Sequence, residues 1–512
     1  MMTASRTLRL SPEDNVVVAL ADLPAGSPVD GLSPGILATA RVPRGHKVAA
    51  EPISQGMPIR KFGQIIGFAS ADIRPGDWVH EKNVTMGEDF ARDYAFAQEA
   101  KAAEGLKPGE VPAFFEGFRR ADGRAGTRNY IGILSSVNCS ATVVDYIADE
   151  INRSGILADY PGIDGIVPLP HGQGCGMAGR GEAFDVLSRT QWGYASHPNF
   201  AAVLLVGLGC EVFQIPRMKE RYAIAEGEHF QSLTIQEIGG TRKAVEAGVA
   251  RIREMLPFAG RSRRTAIPAS ELTLALQCGG SDGYSGLTAN PALGVAADML
   301  VRQGGTAILS ETPEIYGAEH LLTRRAESVE VGQKIVDLIA WWDDYTARNG
   351  GEMNNNPSPG NKAGGLTTIL EKSLGAVAKA GSSTLRGVYR YAERIDRKGL
   401  VYMDTPGYDP VAATGQVAGG ANILCFTTGR GSAYGCKPVP SIKLATNSEL
   451  YARMTDDMDI NCGDIVDGVS LEDKGREIFD TILAIASGRP SKSEELGYGR
   501  NEFVPWQIGA VM

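Results

Sequence analysis

The stretch Gln277 to Pro291, QCGGSDGYSGLTANP, constrains the fold more than any other. An apolar run, Leu272 to Leu276, ends there in a glycine-rich polar loop. Helical spacing of apolar residues then resumes from Asn290 through Gly294 to Leu300, with Pro291 tolerated in the first turn. A buried strand, a polar loop and a helix in that order form the usual α/β ligand site, with the ligand at the carboxyl end of a parallel strand. The plan recurs where Ile131 to Val137 runs into Asn138, Cys139 and Ser140, and where Ala201 to Val206 runs into Gly207, Gly209, Cys210 and Glu211. Three cysteines thus fall just past three predicted strands, which invites the idea that they converge.

The first part of the chain follows a different rule. VVVALADLPAG, ILATARVPRGHKV, MPIRKFGQIIGFA and DIRPGDWVHE are short apolar segments between glycine and proline turns, without helical periodicity. The expected fold class is therefore a small N-terminal β domain followed by a multi-segment α/β region with largely parallel strands. The expected units are residues 1–95, a linker at 96–112 marked by GLKPGEVP, and two α/β units at 113–265 and 266–512. For 512 residues, at about 150 per domain, two to four domains are expected. The 63 glycines sit between apolar runs, which suits tight turns and close backbone approaches rather than disorder.

A net charge of -9 argues against general nucleic-acid binding. No apolar run approaches the roughly 18 residues of a membrane span, and the first residues do not read as a signal peptide. Seven cysteines are too few and too irregular for a disulfide scaffold, so cytoplasmic, reduced thiols are expected. Neither a phosphate loop nor a convincing dinucleotide fingerprint occurs, and nucleotide chemistry is not indicated.

Several polar residues stand out against this background. A free cysteine is most often a small buried hydrophobe, and Cys425 in its apolar run fits that reading, while Cys436 and Cys462 are undecided. Cys139, Cys175, Cys210 and Cys278 lie beside glycine-rich loops, as ligands or nucleophiles do. In HGQGCGMAGRG (171–181), His171 stands four residues from Cys175, a spacing open to a shared metal or to a cysteine nucleophile with its base. His80 reads as a solvated loop histidine, whereas His46 beside Lys47 suits a ligand, a base or an anion contact. Ser140 is placed to cap a helix with Val143, Ile147 and Ile151 on one face. In the basic run GFRRADGRAGTRNY, Arg128 is the chosen anion contact, with Asn129 beside it. Glu311 and Glu314 read equally as cation ligands, as proton carriers or, for one of them, as a surface residue. NPSPGNKAGG (356–365) is expected to be irregular, with Lys362 as its charge, and Lys372 follows as a further candidate. Thr428 and Arg430, in TTGRG, suit a carboxylate.

These motifs together resemble the altronate/galactarate dehydratases, a sugar-acid dehydratase family that includes sulfolactate sulfo-lyase. The likeness rests on DNVVVAL, RGHKVA, DGRAGTRN, SVNC, the His171 to Gly176 loop, VGLGCE, QCGGSDGYSGLTANP, NPSPGNKAGG, EKSLG, FTTGRGSAYG and IKLATNSE, in one order over nearly the whole chain. The resemblance implies a SAF-type (β-clip) first domain and an Fe²⁺- or Mn²⁺-dependent loss of water from a small sugar acid. D-altronate is the first expected substrate and galactarate the second, each giving a 2-keto-3-deoxy acid. For that chemistry, His46 and His171 are expected in the metal shell with one or more of Cys139, Cys175 and Cys278. Ser281 and Asp282 would serve proton transfer with the histidines, and Arg128, Asn129, Lys362, Thr428 and Arg430 would hold the substrate. Thiolates alone would instead suit an iron–sulfur cluster. With His46 in the first domain, that domain is expected to close the cleft as a lid. The alternatives are β-elimination of sulfite from sulfolactate and a non-catalytic sugar-acid sensor. No nucleic-acid or membrane partner is expected, and a homodimer is the expected assembly.

Overall fold

The segments between glycine and proline turns form two small antiparallel sheets. Thr7–Leu8, Val16–Ala19, Lys47–Ala49 and Trp78–Val79 make one, and Pro58–Lys61, Gln64–Ala69 and Val84–Thr85 the other. The computed structural model describes residues 6–30, 32, 35–87, 94–102 and 105–512. The end of the expected first unit (88–93) and part of the expected linker (103–104) lie outside the described residues. The described piece before 103 adheres to the last unit: Ala97 N–H donates to Thr323 C=O at 3.0 Å and Glu99 N–H to Arg324 C=O at 2.8 Å.

The first α/β unit contains β1 (Tyr130–Ser135), α1 (Ala141–Ser154), β2 (Gly165–Leu169), α2 (Glu182–Ala195), β3 (Phe200–Gly207), β4 (Phe230–Thr234) and α3 (Thr241–Ala259). Its sheet is wholly parallel with the order β2-β1-β3-β4. Every residue of β1 and β3 is buried, which is why those strands read as unbroken apolar runs. Helix α1 buries Val143, Ile147 and Ile151 as its spacing requires. Ser140 makes no cap; its hydroxyl donates to the carbonyls of Val137 and Val206, at 2.9 and 2.8 Å, and ties the loop to β3. An antiparallel trio of Phe114–Arg119, Ala125–Gly126 and Thr265–Pro268 joins this unit to the next.

The second α/β unit supplies β5 (Thr273–Cys278), α4 (Ala289–Arg302), β6 (Thr306–Leu309), α5 (Val329–Arg348), α6 (Ile369–Ala378), β7 (Leu385–Tyr389), β8 (Gly399–Met403), α7 (Asp409–Ala418), β9 (Ile423–Thr428), β10 (Ser441–Ala445), β11 (Ile460–Asn461) and α8 (Leu471–Ala486). All its strands are parallel, in the order β7-β8-β6-β5-β9-β10-β11. The chain builds outward from β5 to one side and returns to place β9 on the other. The strand order reverses there, so a crevice opens at the carboxyl ends of β5 and β9, where such folds bind ligands. Among the described residues no helix is long and apolar enough to cross a membrane.

The β domain docks over this crevice through backbone contact. A Cβ added at Gly283 would lie 2.0 Å from the Gly45 carbonyl oxygen, and one added at Gly365 would lie 2.5 Å from it. Only glycine at both positions permits so close an approach. Arg44 adds a 2.9 Å hydrogen bond to the Tyr284 hydroxyl. Beneath these lies a buried charge cluster: Glu371 receives Lys47 at 2.8 Å, Lys61 at 2.9 Å and the Thr367 hydroxyl at 2.8 Å.

Candidate active site

The carboxyl ends of β5, β6 and β8 bring together residues that sequence separates widely. Cys278 ends β5, Glu311 lies two residues past β6, and Glu314 sits in a short helical turn, Thr312–Ile315. Glu311 adopts the left-handed backbone region, φ 71°, held by its N–H donating to Thr405 Oγ1 at 2.9 Å. That conformation is costly for a non-glycine residue and is found where side-chain direction matters. Lys379 Nζ stands 2.8 Å from Cys278 Sγ and 3.1 Å from Glu311 Oε2. Lys372 Nζ reaches Glu314 Oε1 at 2.6 Å and Asn356 Oδ1 at 2.7 Å. Cys278 Sγ lies 3.4 Å from Glu314 Oε2. Glu311 Oε1 is buried without a hydrogen-bond partner.

Burial pushes the Cys278 thiol up to about 12, keeping it protonated at neutral pH. It also drives Glu311 well above the usual carboxylate range, assisted by the charge of Glu314. Glu314 feels the same desolvation, yet Lys372 and Lys379 outweigh it and hold its carboxyl below that range. Asp409, the first residue of α7, is raised to about 7 by burial and by Glu314. Its carboxylate lies against the backbone of Gly279, where an added Cβ would come within 2.2 Å of Oδ2.

Cys278, Glu311 and Glu314 each offer a ligand atom within 4.8 Å of the others, the group among the described residues that could hold one ion. A thiolate and two carboxylates suit a divalent transition metal. The orphaned Glu311 Oε1 supplies an acceptor that no protein group uses. The donor set therefore fits Fe²⁺ or Mn²⁺, whose binding would displace protons from Cys278 and Glu311.

The neighbouring loop is organised by Asp282. Its Oδ1 accepts from Tyr284 N–H, Ser285 N–H and Thr446 Oγ1, at 3.1, 2.9 and 3.0 Å, and Oδ2 accepts from Asn447 Nδ2 at 3.1 Å. These bonds commit Asp282 to positioning the loop. Gly280 C=O receives the N–H groups of Gly429 and Arg430, which joins the ends of β5 and β9. Thr428 Oγ1 accepts from Gly431 N–H at 3.0 Å, and Ser281 C=O accepts from Asn361 Nδ2 at 2.9 Å. Arg430 is exposed and Lys362 half-buried at the rim of this region. A cavity of about 10 Å³, room for roughly one water, lies between Lys372, Ser281, Asp282 and Glu371. The expected irregular segment 356–365 contains a helical turn, Pro359–Ala363, because Ser358 caps it and Pro359 starts it.

The histidines and two of the cysteines chosen for a metal shell are placed elsewhere. His46 Nδ1 accepts from Trp78 Nε1 at 3.1 Å within the β domain and Nε2 faces Ala363 C=O of the last unit at 3.3 Å, so both nitrogens are engaged, one inside the β domain and one in docking it. His171 Nδ1 accepts from Gln173 N–H at 3.1 Å and Nε2 meets Ser135 C=O at 2.8 Å, which fixes its own loop. Burial lowers both rings to about 4, so both are neutral at pH 7. Cys139 and Cys175 are exposed on the first α/β unit, whereas Cys278 is buried in the second. Arg128 is committed to structure: its guanidinium pairs with Glu494 at 2.7 Å and donates to the carbonyls of Thr127, Ile485 and Arg489. Asn129 Nδ2 donates to the carbonyls of Gly162 and Ala259. Both precede β1 at its amino end, opposite the loop edge.

Sequence reasoning marked Glu311 with Glu314, and Cys278 and Lys372 apart from them, and missed Asn356, Lys379 and Asp409. Lys379 lies seven residues after Lys372, two helical turns along one face, a signal that could have paired them. Asp409 directly precedes Pro410 after a strand and a glycine turn, a helix-start signature at a strand's carboxyl end.

Comparison with known proteins agrees along the chain. Residues 5–87 match the altronate/galactarate dehydratase SAF domain, residues 117–260 the D-galactarate dehydratase/altronate hydrolase second domain, and residues 269–511 the D-galactarate/altronate dehydratase C-terminal domain. The chain is 40% identical over 491 residues to the galactarate dehydratase (L-threo-forming) of Escherichia coli strain K12, covering 94% of this chain and 93% of that one. It is 37% identical to the altronate dehydratase of Bacillus subtilis strain 168, covering 94% and 95%. With the (2R)-sulfolactate sulfo-lyase subunit beta of Chromohalobacter salexigens it shares 30% identity, covering 76% and 96%. The chain belongs to the altronate/galactarate dehydratase family and is a sugar-acid dehydratase, a hydro-lyase.

Proposed function

We propose that this enzyme dehydrates D-altronate, with galactarate as second substrate, to a 2-keto-3-deoxy acid at the Cys278–Glu311–Glu314 cluster. The observation that carries the reading is the orphaned Glu311 oxygen in a buried thiol–carboxylate group at the carboxyl edge of a parallel sheet. Cys278, Glu311 and Glu314 would hold Fe²⁺ or Mn²⁺, and the chemistry such an ion supplies when bound is Lewis-acid stabilisation of charge on the substrate carboxylate. Lys372 and Lys379 add fixed positive charge beside it, in a buried site.

Asp409 is the group we assign to proton transfer. At about 7 its carboxyl is available in both forms at neutral pH. Ionised, it takes the proton from C2; the C2–H electrons form the C2–C3 double bond, and the C3–O bond breaks. The same proton passes from Asp409 to the departing hydroxyl, which leaves as water, and the enol so formed becomes the keto acid. The β domain closes the site through Lys47, Lys61 and Glu371, next to Lys372 in the helix.

The test is anaerobic assay of keto acid from D-altronate and galactarate with Fe²⁺ or Mn²⁺, beside assay of sulfite from sulfolactate. Keto acid from a sugar acid, lost in Glu311→Gln, is the expected result. Sulfite release in its place, or tight sugar-acid binding without turnover, would overturn the reading.

A further inference from the structure

Three of the seven cysteines are exposed, Cys139, Cys175 and Cys210, while Cys278, Cys425, Cys436 and Cys462 are buried. Free cysteines are ordinarily among the most buried residues, so three at the surface need a reason. Each lies just past the carboxyl end of a different strand, β1, β2 or β3, and those strands are neighbours in the order β2-β1-β3. The thiols therefore share one edge of one sheet.

Hydrogen bonds tie the three loops to one another beside the cysteines. Asn138 N–H, next to Cys139, donates to Gln173 C=O at 2.9 Å. Gly174 C=O, next to Cys175, accepts from Phe213 N–H at 3.0 Å. Glu211, next to Cys210, accepts from the Ser136 hydroxyl at 2.7 Å and from Gly209 N–H at 2.6 Å. Gly174 has φ 99°, and a Cβ there would stand 2.2 Å from the Ser136 carbonyl oxygen, so the loops touch backbone to backbone. Gln236 Nε2 directs an N–H at Cys210 Sγ, at 3.4 Å. Cys139 sits in the turn that opens the 14-residue helix α1, whose amino end carries partial positive charge.

We propose that Cys139, Cys175 and Cys210 ligate an iron–sulfur cluster of the 4Fe–4S type, separate from the ion site at Cys278. These sulfurs are not among the ligand atoms close enough to share one ion, whereas a cubane spreads its cysteine ligands over separate irons. The cluster's anionic sulfides suit the helix terminus and the amide donor at Cys210. Three thiolates leave one iron without a cysteine ligand, open to a water or hydroxy-acid oxygen. Ligation costs each thiol one proton and transfers no electron. Assembly from equal ferrous and ferric iron with sulfide balances to the oxidised cluster without a further oxidant.

The test uses the full chain, purified without oxygen and reconstituted with ferrous and ferric iron and sulfide. Iron and acid-labile sulfide content, visible absorption and the EPR spectrum after reduction are read for the parent, for Cys139→Ser, Cys175→Ser and Cys210→Ser, and for Cys278→Ser. Far-UV circular dichroism checks folding. The expected result is about four irons and four sulfides per chain, a spectrum lost in each of the first three variants and kept in Cys278→Ser. A folded parent that retains no sulfide, or unchanged cluster content in the triple serine variant, would overturn the proposal. These readouts do not depend on keto-acid formation, so failure of the dehydratase assignment is seen separately.

Discussion

The Lys379 ammonium lies 2.8 Å from the Cys278 sulfur. A fully buried lysine facing a thiol and the carboxyl of Glu311 is costly to desolvate, and it places positive charge where the proposed reaction develops negative charge. Lys379→Met is therefore expected to lower kcat by at least about 100-fold, measured by steady-state kinetics on protein whose thermal unfolding confirms that it is folded. Unchanged turnover would remove Lys379 from the mechanism.

Asp409 gives the reaction its expected pH dependence. With its carboxyl at about 7 and the ionised form acting as base, kcat/KM should rise with pH through that value. Asp409→Asn should abolish this limb and reduce kcat about 100- to 10,000-fold. A C2-deuterated substrate reports whether proton removal limits the rate. A profile identical in the variant would exclude Asp409.

Docking of the β domain should weaken in acid. Burial opposes ionisation of Glu371, yet Lys47 and Lys61 bring its carboxyl down to about 2. The folded chain then binds fewer protons than the unfolded chain between the ordinary carboxylate range and about 2. Its stability contribution is complete above that range and is lost as pH falls through it. Two lysines share this one carboxylate, and burial pushes Lys47 down to about 8. Glu371→Gln leaves both without counter-charge, at a cost of about 3–5 kcal/mol. Urea unfolding across pH measures this, and an unaltered acid limb would contradict the assignment.

Arg128 separates a structural from a substrate role. Its guanidinium is satisfied by Glu494 and three carbonyls, so Arg128→Ala should destabilise the fold by about 3–5 kcal/mol and leave KM of the folded fraction unchanged. A large rise in KM without loss of stability would restore the substrate reading.

Much of the fold was legible because a strand buried on both faces is a continuous apolar run, as in Ala201 to Val206 and Leu272 to Leu276. The loops after those strands were legible as the carboxyl-end loops of a parallel sheet, because each apolar run stops in glycine and polar residues. What could not be read was which edges meet. Cys278 and Glu311 come together because β5 pairs with β6, and Asp409 joins them because β8 lies on the far side of β6. Arg128 read as an anion contact because its partner, Glu494, is 366 residues away. His46 read as a ligand because the indole of Trp78, which occupies Nδ1, lies on another strand.

The most direct test is keto-acid formation from D-altronate and galactarate by anaerobic protein supplied with Fe²⁺, comparing the parent with Glu311→Gln and Glu314→Gln, each with its bound metal measured. The account expects keto acid from the parent and a fall of at least about 100-fold in both variants, together with loss of the ion. Full turnover in folded variants, or a parent that binds the ion and forms no keto acid from either substrate, would contradict it.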